Sequence, residues 1–599
     1  MRARRSLLVV LLATLASAAV GAQVGRGTTE WLTAHADAQR TSWIRMDPVI
    51  SVDAMSKPGF QLQWKQKLDN QARQSMGLAQ GVTANGVTLF VPMSVVAGSS
   101  NNIYALDNDT GYVVWQRHFD AAMPAATAAC PGGITAAATR IVTLTPAVAA
   151  PGRAGGRGGA GYRSLLGEPG EGVPVEARAG GPGRGAAPAP ARGGDPAAPP
   201  AGAPAGQPAG AGAPAAAPGA PPAGAPGPAG AQAGGPGRGA QPAGGGIPGA
   251  PAAANSGGGL GRPSGVMYAV SSDGMLHVIG LQSGKDLQKP APFVPANSRW
   301  SDPIAVNTTM YAATSGGCGG APNGIFAIDL AGPDKAVTSW KTSGGGVVGA
   351  IAFTGDGTLI AAIGPGQTTG EGRANAIVAL DAKTLQVKDW YTQPNAEFVT
   401  GPTILRDGDR ELVAAATKDG RVLLLNASSL GGANHATPLA ASAKLTSATG
   451  TISADALATW QEGAAGAGGA SWVLVPVSGQ PAGASATNGA TASGAVVALK
   501  LTSSGAAPSL QAAWTSNDLV SPASPIVVNG VVFALSAGRA ASPAVLHAYD
   551  GASGKALWSS QKAMTSAASP VSFWSALGQI YVGGTDGTVY AFGFLDERR

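Results

Sequence analysis

Five residues at fixed intervals constrain this chain more than anything else in it. The stretches "IYALDNDTGYVVWQRHF" (103–119) and "LHAYDGASGKALWSSQK" (546–562) set an Ala, an Asp, a Thr or Ser, a Gly and a Trp at the same spacing. In the first copy these are Ala105, Asp107, Thr110, Gly111 and Trp115; in the second, Ala548, Asp550, Ser553, Gly554 and Trp558. Copies so far apart signal a repeat architecture. The second copy closes a unit that begins at Ser524. In it, Ile526 to Val528 and Val531 to Leu535 flank Asn529-Gly530, a strong hairpin signal. Val545 to Tyr549 and Ala556 to Ser559 supply two further strands. Four short antiparallel strands with glycine-bearing turns make one blade of a β-propeller.

The recurring motif is then the hairpin between a blade's third and fourth strands. Asp107 and Asp550 are expected to accept hydrogen bonds from turn amides, and Gly111 and Gly554 to supply a positive φ. Trp115 and Trp558 fall on outer strands, where a large ring covers the small Ala of the third strand and cements neighbouring blades. Degenerate copies retain Ala327, Asp329 and Trp340, and Ala379, Asp381 and Trp390. A copy near residue 500 keeps Ala498 and Trp514. The last segment stops after a third strand, and "FQLQWKQKL" with Trp64 supplies the missing fourth. Outer strands near 64, 115, 288, 340, 390, 440, 514 and 558 give an all-β, eight-bladed propeller closed by the N-terminal strand. Seven blades stay open as a count, because the unit between Leu430 and Ser471 is weak.

The rest is compositional. A basic start (Arg2, Arg4, Arg5), an apolar run to Val20 and the small residues Gly21 and Ala22 read as a signal peptide over 1–22. The run is shorter than the roughly 20 residues of a spanning helix, so the mature chain is expected to be periplasmic or secreted and not membrane-spanning. Residues 151–262 are almost wholly Gly, Ala, Pro and Arg, without collagen's period and without side chains to build a core. They are expected to form a disordered, dispensable insert. The chain thus divides into an arm (23–58), a first propeller part (59–150), the insert, and the remaining propeller (263–599). Charged residues are only 12%, the net charge is +6, and no basic stripe interleaved with aromatics appears, which argues against nucleic-acid binding. For the two cysteines, Cys130 and Cys318, a disulfide and a pair of small buried hydrophobes are both open.

The Ala-x-Asp-x-x-Thr-Gly-x-x-x-Trp repeat resembles the docking motif of bacterial PQQ-type propellers. The lead-in "WLTAHADAQRTSWIRMDPVISVDAMSKPGFQLQWKQKL" is similar to the arm that opens those proteins. The resemblance covers nearly all of the mature chain outside the insert. It implies one of two functions: a dehydrogenase that holds pyrroloquinoline quinone (PQQ) and Ca²⁺ in its central funnel, or a non-enzymatic scaffold of the outer-membrane assembly kind. Fold alone does not choose between them. Alcohol-oxidising members cap the quinone with a ring made by adjacent cysteines, whereas here Pro131 follows Cys130 and glycines flank Cys318. Trp300 reads as a quinone floor or, more simply, as packing at a blade entrance. The five histidines (His35, His118, His277, His435 and His547) are scattered, and no metal-ligand or nucleophile motif appears. Without the leader and insert about 465 residues remain, about 58 per blade, which leaves little chain for pocket loops. The expectation is a binding or scaffold module for a protein or cell-envelope partner, with no catalytic or metal residue and no cofactor. The alternative is a PQQ- and Ca²⁺-dependent dehydrogenase of alcohols or sugars.

Overall fold

The computed structural model describes residues 30–595, apart from 145–264 and short gaps at 75, 85–91, 135, 369–371, 393–396, 453–454, 464–468, 484–486, 505–506 and 540. The signal-peptide and insert expectations lie outside the described residues. Among the described residues eight sheets form, one per blade, and each runs from an inner strand to an outer one. Blade 1 joins Phe60–Lys67 to the C-terminal strands Ala568–Ala576, Gln579–Gly584 and Thr588–Phe594. Trp64 lies opposite Ala591, so the two ends of the chain close the ring and remove the edges an open sheet would expose. Blade 2 (Val82–Ala84, Met93–Gly98, Asn102–Asp107, Val113–His118) and blade 8 (Ile526–Val528, Val531–Ser536, Val545–Asp550, Ala556–Ser559) hold the two strongest motif copies.

Blade 3 is the thinnest, with Val266–Val270, Met275–Gly280 and an outer strand of only Ala291–Pro292. That outer strand lies just beyond Gln288. Its inner position is filled by the chain at Thr139, which bridges to Tyr268 before Ile141–Val142 pairs in parallel with Ile304–Val306 of blade 4. Blades 4 (Ile304–Val306 to Val337–Lys341), 5 (Val347–Phe353 to Val387–Thr392), 6 (Thr403–Asp407 to Ala440–Ala441) and 7 (Ala458–Gln461 to Ala507–Thr515) complete the circle. The weak unit therefore straddles a blade boundary: blade 6 ends in a two-residue outer strand, and blade 7 begins soon after it.

The repeated spacing has a geometric cause. Asp107 Oδ1 accepts from the amides of Asp109 and Thr110 at 2.8 and 3.0 Å, and Asp550 Oδ1 does the same for Ala552 and Ser553 at 2.9 and 3.1 Å. The glycine serves two purposes. Gly111 has φ 72°, and a Cβ built on it would meet the Trp64 indole of the preceding blade at 2.4 Å. Gly284 bears the same relation to Trp115 (2.6 Å) and Gly554 to Trp514 (2.5 Å). Each of these indoles also donates to a carbonyl of the next blade: Trp64 to Asn108 (2.8 Å), Trp115 to Leu281 (2.7 Å) and Trp514 to Gly551 (2.9 Å). The tryptophan of one blade is thus seated on the glycine turn of the next.

Two details depart from expectation. Trp115, Trp514 and Trp558 lie opposite Ala105, Ala498 and Ala548. In blades 4 and 5, however, Trp340 faces Ile325 and Trp390 faces Val378, while Ala327 and Ala379 face Thr338 and Asp389. Extra residues in the turns after Asp329 and Asp381 shift the register and so change the cross-strand partner. In blade 5 the glycine position is held by Leu385, which keeps the positive φ (56°) and packs in the same core cluster as Trp340.

Candidate functional site

The axis of the propeller is occupied by the chain's own arm. Residues 31–43 are almost continuously buried, and their carbonyls take up the free amides of successive inner strands. Thr83 N (blade 2) donates to Trp31 O at 2.8 Å, and Arg140 N, beside blade 3, to Leu32 O at 2.8 Å. Phe353 N (blade 5) reaches Ala38 O at 2.7 Å and Ile404 N (blade 6) Gln39 O at 2.9 Å. Thr459 N (blade 7) reaches Thr41 O at 3.0 Å, and Val527 N (blade 8) Ser42 O at 2.9 Å. Trp43–Ile44 then adds a short parallel strand to blade 8. Blade 1 is tied through Gly578 N, which donates to Asp47 Oδ2 at 2.8 Å.

Arg40 is the centre of this hub. Its Nε donates to Ile351 O of blade 5 (2.7 Å), and Nη1 to Thr33 Oγ1 and Ala34 O (3.2 and 2.7 Å). Nη2 donates to Asp302 O at the entrance of blade 4 (3.1 Å). His35, Ala36, Arg40 and Ser42 all have positive φ, between 52° and 74°. Such strain in non-glycine residues persists only where the surroundings hold it. Asp37 stiffens the turn by accepting from Thr41 N (3.0 Å) and Thr41 Oγ1 (2.6 Å). Burial dominates the electrostatics here. It pushes the Asp37 carboxyl up to about 6 and the Arg40 guanidinium down to about 10. Burial, aided by the Arg40 charge, holds His35 down at about 3.

Above the hub, where the inner strands begin, lies a mouth bearing Asp302, Asp455 and Arg299. Burial raises both carboxyls; Asp455 raises Asp302 further, while the Ala137 amide and Arg40 oppose that rise and Arg299 opposes it at Asp455. Asp302 is part-exposed and Asp455 exposed, so both carboxyls reach solvent. Beside them Cys130 and Cys318 are joined in a disulfide with Cα atoms 5.6 Å apart. The link pins the loop before blade 3 to the long turn of blade 4, and Arg299 Nη1 donates to Ala129 O in that loop at 3.4 Å. Trp300 is 4% exposed and packs among Phe293, Val294 and Ala305, so it is blade-entrance packing.

One further constellation has triad-like spacing. Ser271 Oγ lies 3.0 Å from His277 Nε2, and His277 Nδ1 lies 3.1 Å from Asp286 Oδ1. It is a structural seam. Ser271 is 1% exposed and also bonds Asp273, while Asp286 is gripped by Arg117 of blade 2. The docking residues from the sequence fall at the blade joints, away from the mouth. The hub residues were not singled out there, although the arm that carries them was; their signal is a polar run, "HADAQRTS", inside an otherwise apolar-patterned chain.

No protein-family model and no curated protein matches the chain. Solved structures do. The quinohemoprotein alcohol dehydrogenase of Comamonas testosteroni aligns with 96% of this chain and 82% of its own, at TM-score 0.50 and 13% identity. The quinohemoprotein alcohol dehydrogenase ADHIIG of Pseudomonas putida HK5 aligns over 94% and 80%, at TM-score 0.50 and 11% identity. BamB from Moraxella catarrhalis aligns over 56% and 82%, at TM-score 0.34 and 15% identity. At 11–13% identity the likeness to the two dehydrogenases is one of fold alone: an eight-bladed β-propeller.

Proposed function

We propose that this chain is an exported binding or scaffold propeller of the non-enzymatic kind, which presents its faces to a protein or cell-envelope partner. The observation that carries the reading is the filled hub. Residues 31–44 take up the inner-strand amides of blade after blade, so the axis is committed to holding the ring together. Partner surface is then left to the faces and rims. At the base, around the exit of the arm, Met46 (64% exposed), Val49 (43%) and Leu577 (40%) lie together, an apolar patch that association would cover. Among the described residues no helix is long and apolar enough to cross a membrane.

A dehydrogenase reading is favoured by one place, the mouth with Asp302, Asp455, Arg299 and the disulfide. Two features of that place count against PQQ and Ca²⁺ in our reading. Ca²⁺ takes six to eight oxygens, usually with several carboxylates, and no group of three or more His, Cys, Asp or Glu side chains that could hold a metal occurs among the described residues. The disulfide joins cysteines of two blades rather than neighbours. Small cavities of about 10 and 30 Å³ lie instead at Trp43–Trp460 and at Trp31–Leu577. The test is incubation of the purified protein with PQQ and Ca²⁺, followed by spectroscopy of retained quinone and a dye-linked assay with alcohols and aldoses. No retained quinone and no turnover is the expected outcome. Saturable, PQQ-dependent oxidation abolished by a chelator would overturn the scaffold reading.

A further inference from the structure

One titratable group lies between opposed charges at the joint of blades 2 and 3. His277, on the strand Met275–Gly280, is only 7% exposed. Its ring lies against Phe119 of blade 2, with centroids 4.4 Å apart, and Arg117 covers the same Phe119 ring. The charged groups around it among the described residues are Asp286 and Asp273 of its own blade and Arg117 of blade 2. Arg117 Nη1 donates to Asp286 Oδ1 at 3.0 Å and Nη2 to Asp286 Oδ2, a two-pronged clasp between the blades. His277 Nδ1 sits inside that clasp, 3.1 and 3.2 Å from the two Asp286 oxygens and 3.3 Å from Arg117 Nη2. The hydrogens decide what Nδ1 does there. Ser271 Oγ has one hydrogen and gives it to Asp273 Oδ1, a charged acceptor. The same oxygen is 3.0 Å from His277 Nε2, so Nε2–H is the donor of that bond. A neutral imidazole carries one N–H, which leaves Nδ1 bare to accept from Arg117 Nη2.

We propose that His277 Nδ1 is a proton-operated release in the clasp between blades 2 and 3. Bare, it accepts from Arg117 and holds the guanidinium against Asp286. Protonated, it donates to Asp286 instead and sets its N–H against that of Arg117 Nη2, so the guanidinium is displaced. Acid loosens this joint. Burial sets the direction: opposed by Asp286 and Asp273 and aided by Arg117, it holds the His277 pKa below its usual 6.5. The fold thus favours the neutral ring, and the joint's share of stability is complete above 6.5 and lost as pH falls through the lowered value. The release sits at the root of the loop that Cys130–Cys318 pins beside the mouth, since Phe119 is the first residue after the strand Val113–His118.

The test is nuclear magnetic resonance of the whole chain with ¹⁵N in its histidine rings, the His277 signals being assigned by their loss in His277→Gln. At pH 8 the neutral ring is expected to carry its proton on Nε2, and to titrate below 6.5. Hydrogen exchange of the Val113–His118 and Met275–Gly280 amides, corrected for the intrinsic effect of pH, is read beside it. In the parent it is expected to quicken by up to about tenfold for each unit of pH below 6.5, the slope of a one-proton opening. His277→Gln has no proton to take up, so its corrected exchange is expected to stay flat over the same range. Arg117→Gln is the second variant: without the guanidinium His277 is expected to titrate at a higher pH than in the parent, and the signal that moves assigns the ring independently. A ring protonated on Nδ1 at pH 8 overturns the proposal. So does corrected exchange that rises alike in the parent and His277→Gln, or in neither, and so does an unmoved histidine titration in Arg117→Gln.

Discussion

Each docking tryptophan is worth what its burial and its glycine partner allow. Trp514 is 1% exposed, bonds Gly551 O and covers Gly554, so Trp514→Ala is expected to cost about 3–5 kcal/mol in a denaturant titration. Trp115 and Trp558 are only half-buried, and Trp558 packs on Phe60 and Phe592 rather than on a glycine turn. Truncating either is expected to cost less than truncating Trp514. Equal losses at all three positions would mean that burial does not rank them. Leu385 poses the opposite question, since it occupies the glycine position of blade 5 at φ 56° while 2% exposed. Leu385→Gly removes a left-handed strain of about 1–2 kcal/mol but deletes a buried leucine worth about 2–5 kcal/mol. Packing wins, and the variant is expected to be less stable than the parent; a rise in melting temperature would show that strain dominates there.

At the level of elements, the blades were legible in the sequence because each repeats one local code. Strand alternation, Asn-Gly or Asp-Gly turns, and an Asx turn before glycine are short-range signals that need no tertiary context. The partner of each tryptophan was not legible. The sequence places Trp115 beside Ala105, whereas the seat on Gly284 depends on how neighbouring blades meet. The arm was legible as a segment, but its place on the axis was hidden for a similar reason: nothing in "HADAQRTS" states that its carbonyls will meet amides from blades hundreds of residues away. Two element-scale outcomes follow from those tertiary ties. Arg40→Met strips four hydrogen bonds from the hub and leaves buried carbonyls unpaired. It is expected to destabilise by about 3–5 kcal/mol, read from the urea midpoint. Reduction of Cys130–Cys318, or the double Ser variant, releases a cross-link spanning 188 residues of sequence. A loss of about 2–4 kcal/mol is expected, and an unchanged melting temperature in reductant would show that Arg73 and Arg299 hold the loop unaided.

For the whole molecule, ring closure and hub filling make stability depend on protons at the axis. His35 and Asp37 lie five and three residues before Arg40, yet burial drives them in opposite senses. The fold keeps His35 neutral, lowering it from 6.5 to about 3, so its contribution is complete above 6.5 and drains away as pH falls towards 3. Asp37 is raised from 3.8 to about 6, so the fold favours its protonated form. Its ionisation costs stability above 6, and that cost is relieved as pH falls from 6 to 3.8. The two windows overlap and partly cancel between 6 and 3.8, and below 3.8 only the histidine term is still growing. Because the histidine shift is the larger, acidification is expected to weaken the ring on balance. The His35→Gln variant keeps a polar group near Ser42 Oγ, which lies 3.2 Å from His35 Nδ1, but has no proton to exclude. Its melting temperature, measured from pH 8 to pH 3 beside the parent, is expected to fall less steeply towards the acid end. The gap between the two curves should widen most below the carboxyl window of Asp37. Parallel curves across the range would mean that protons reach the axis freely and that the arm does not seal it.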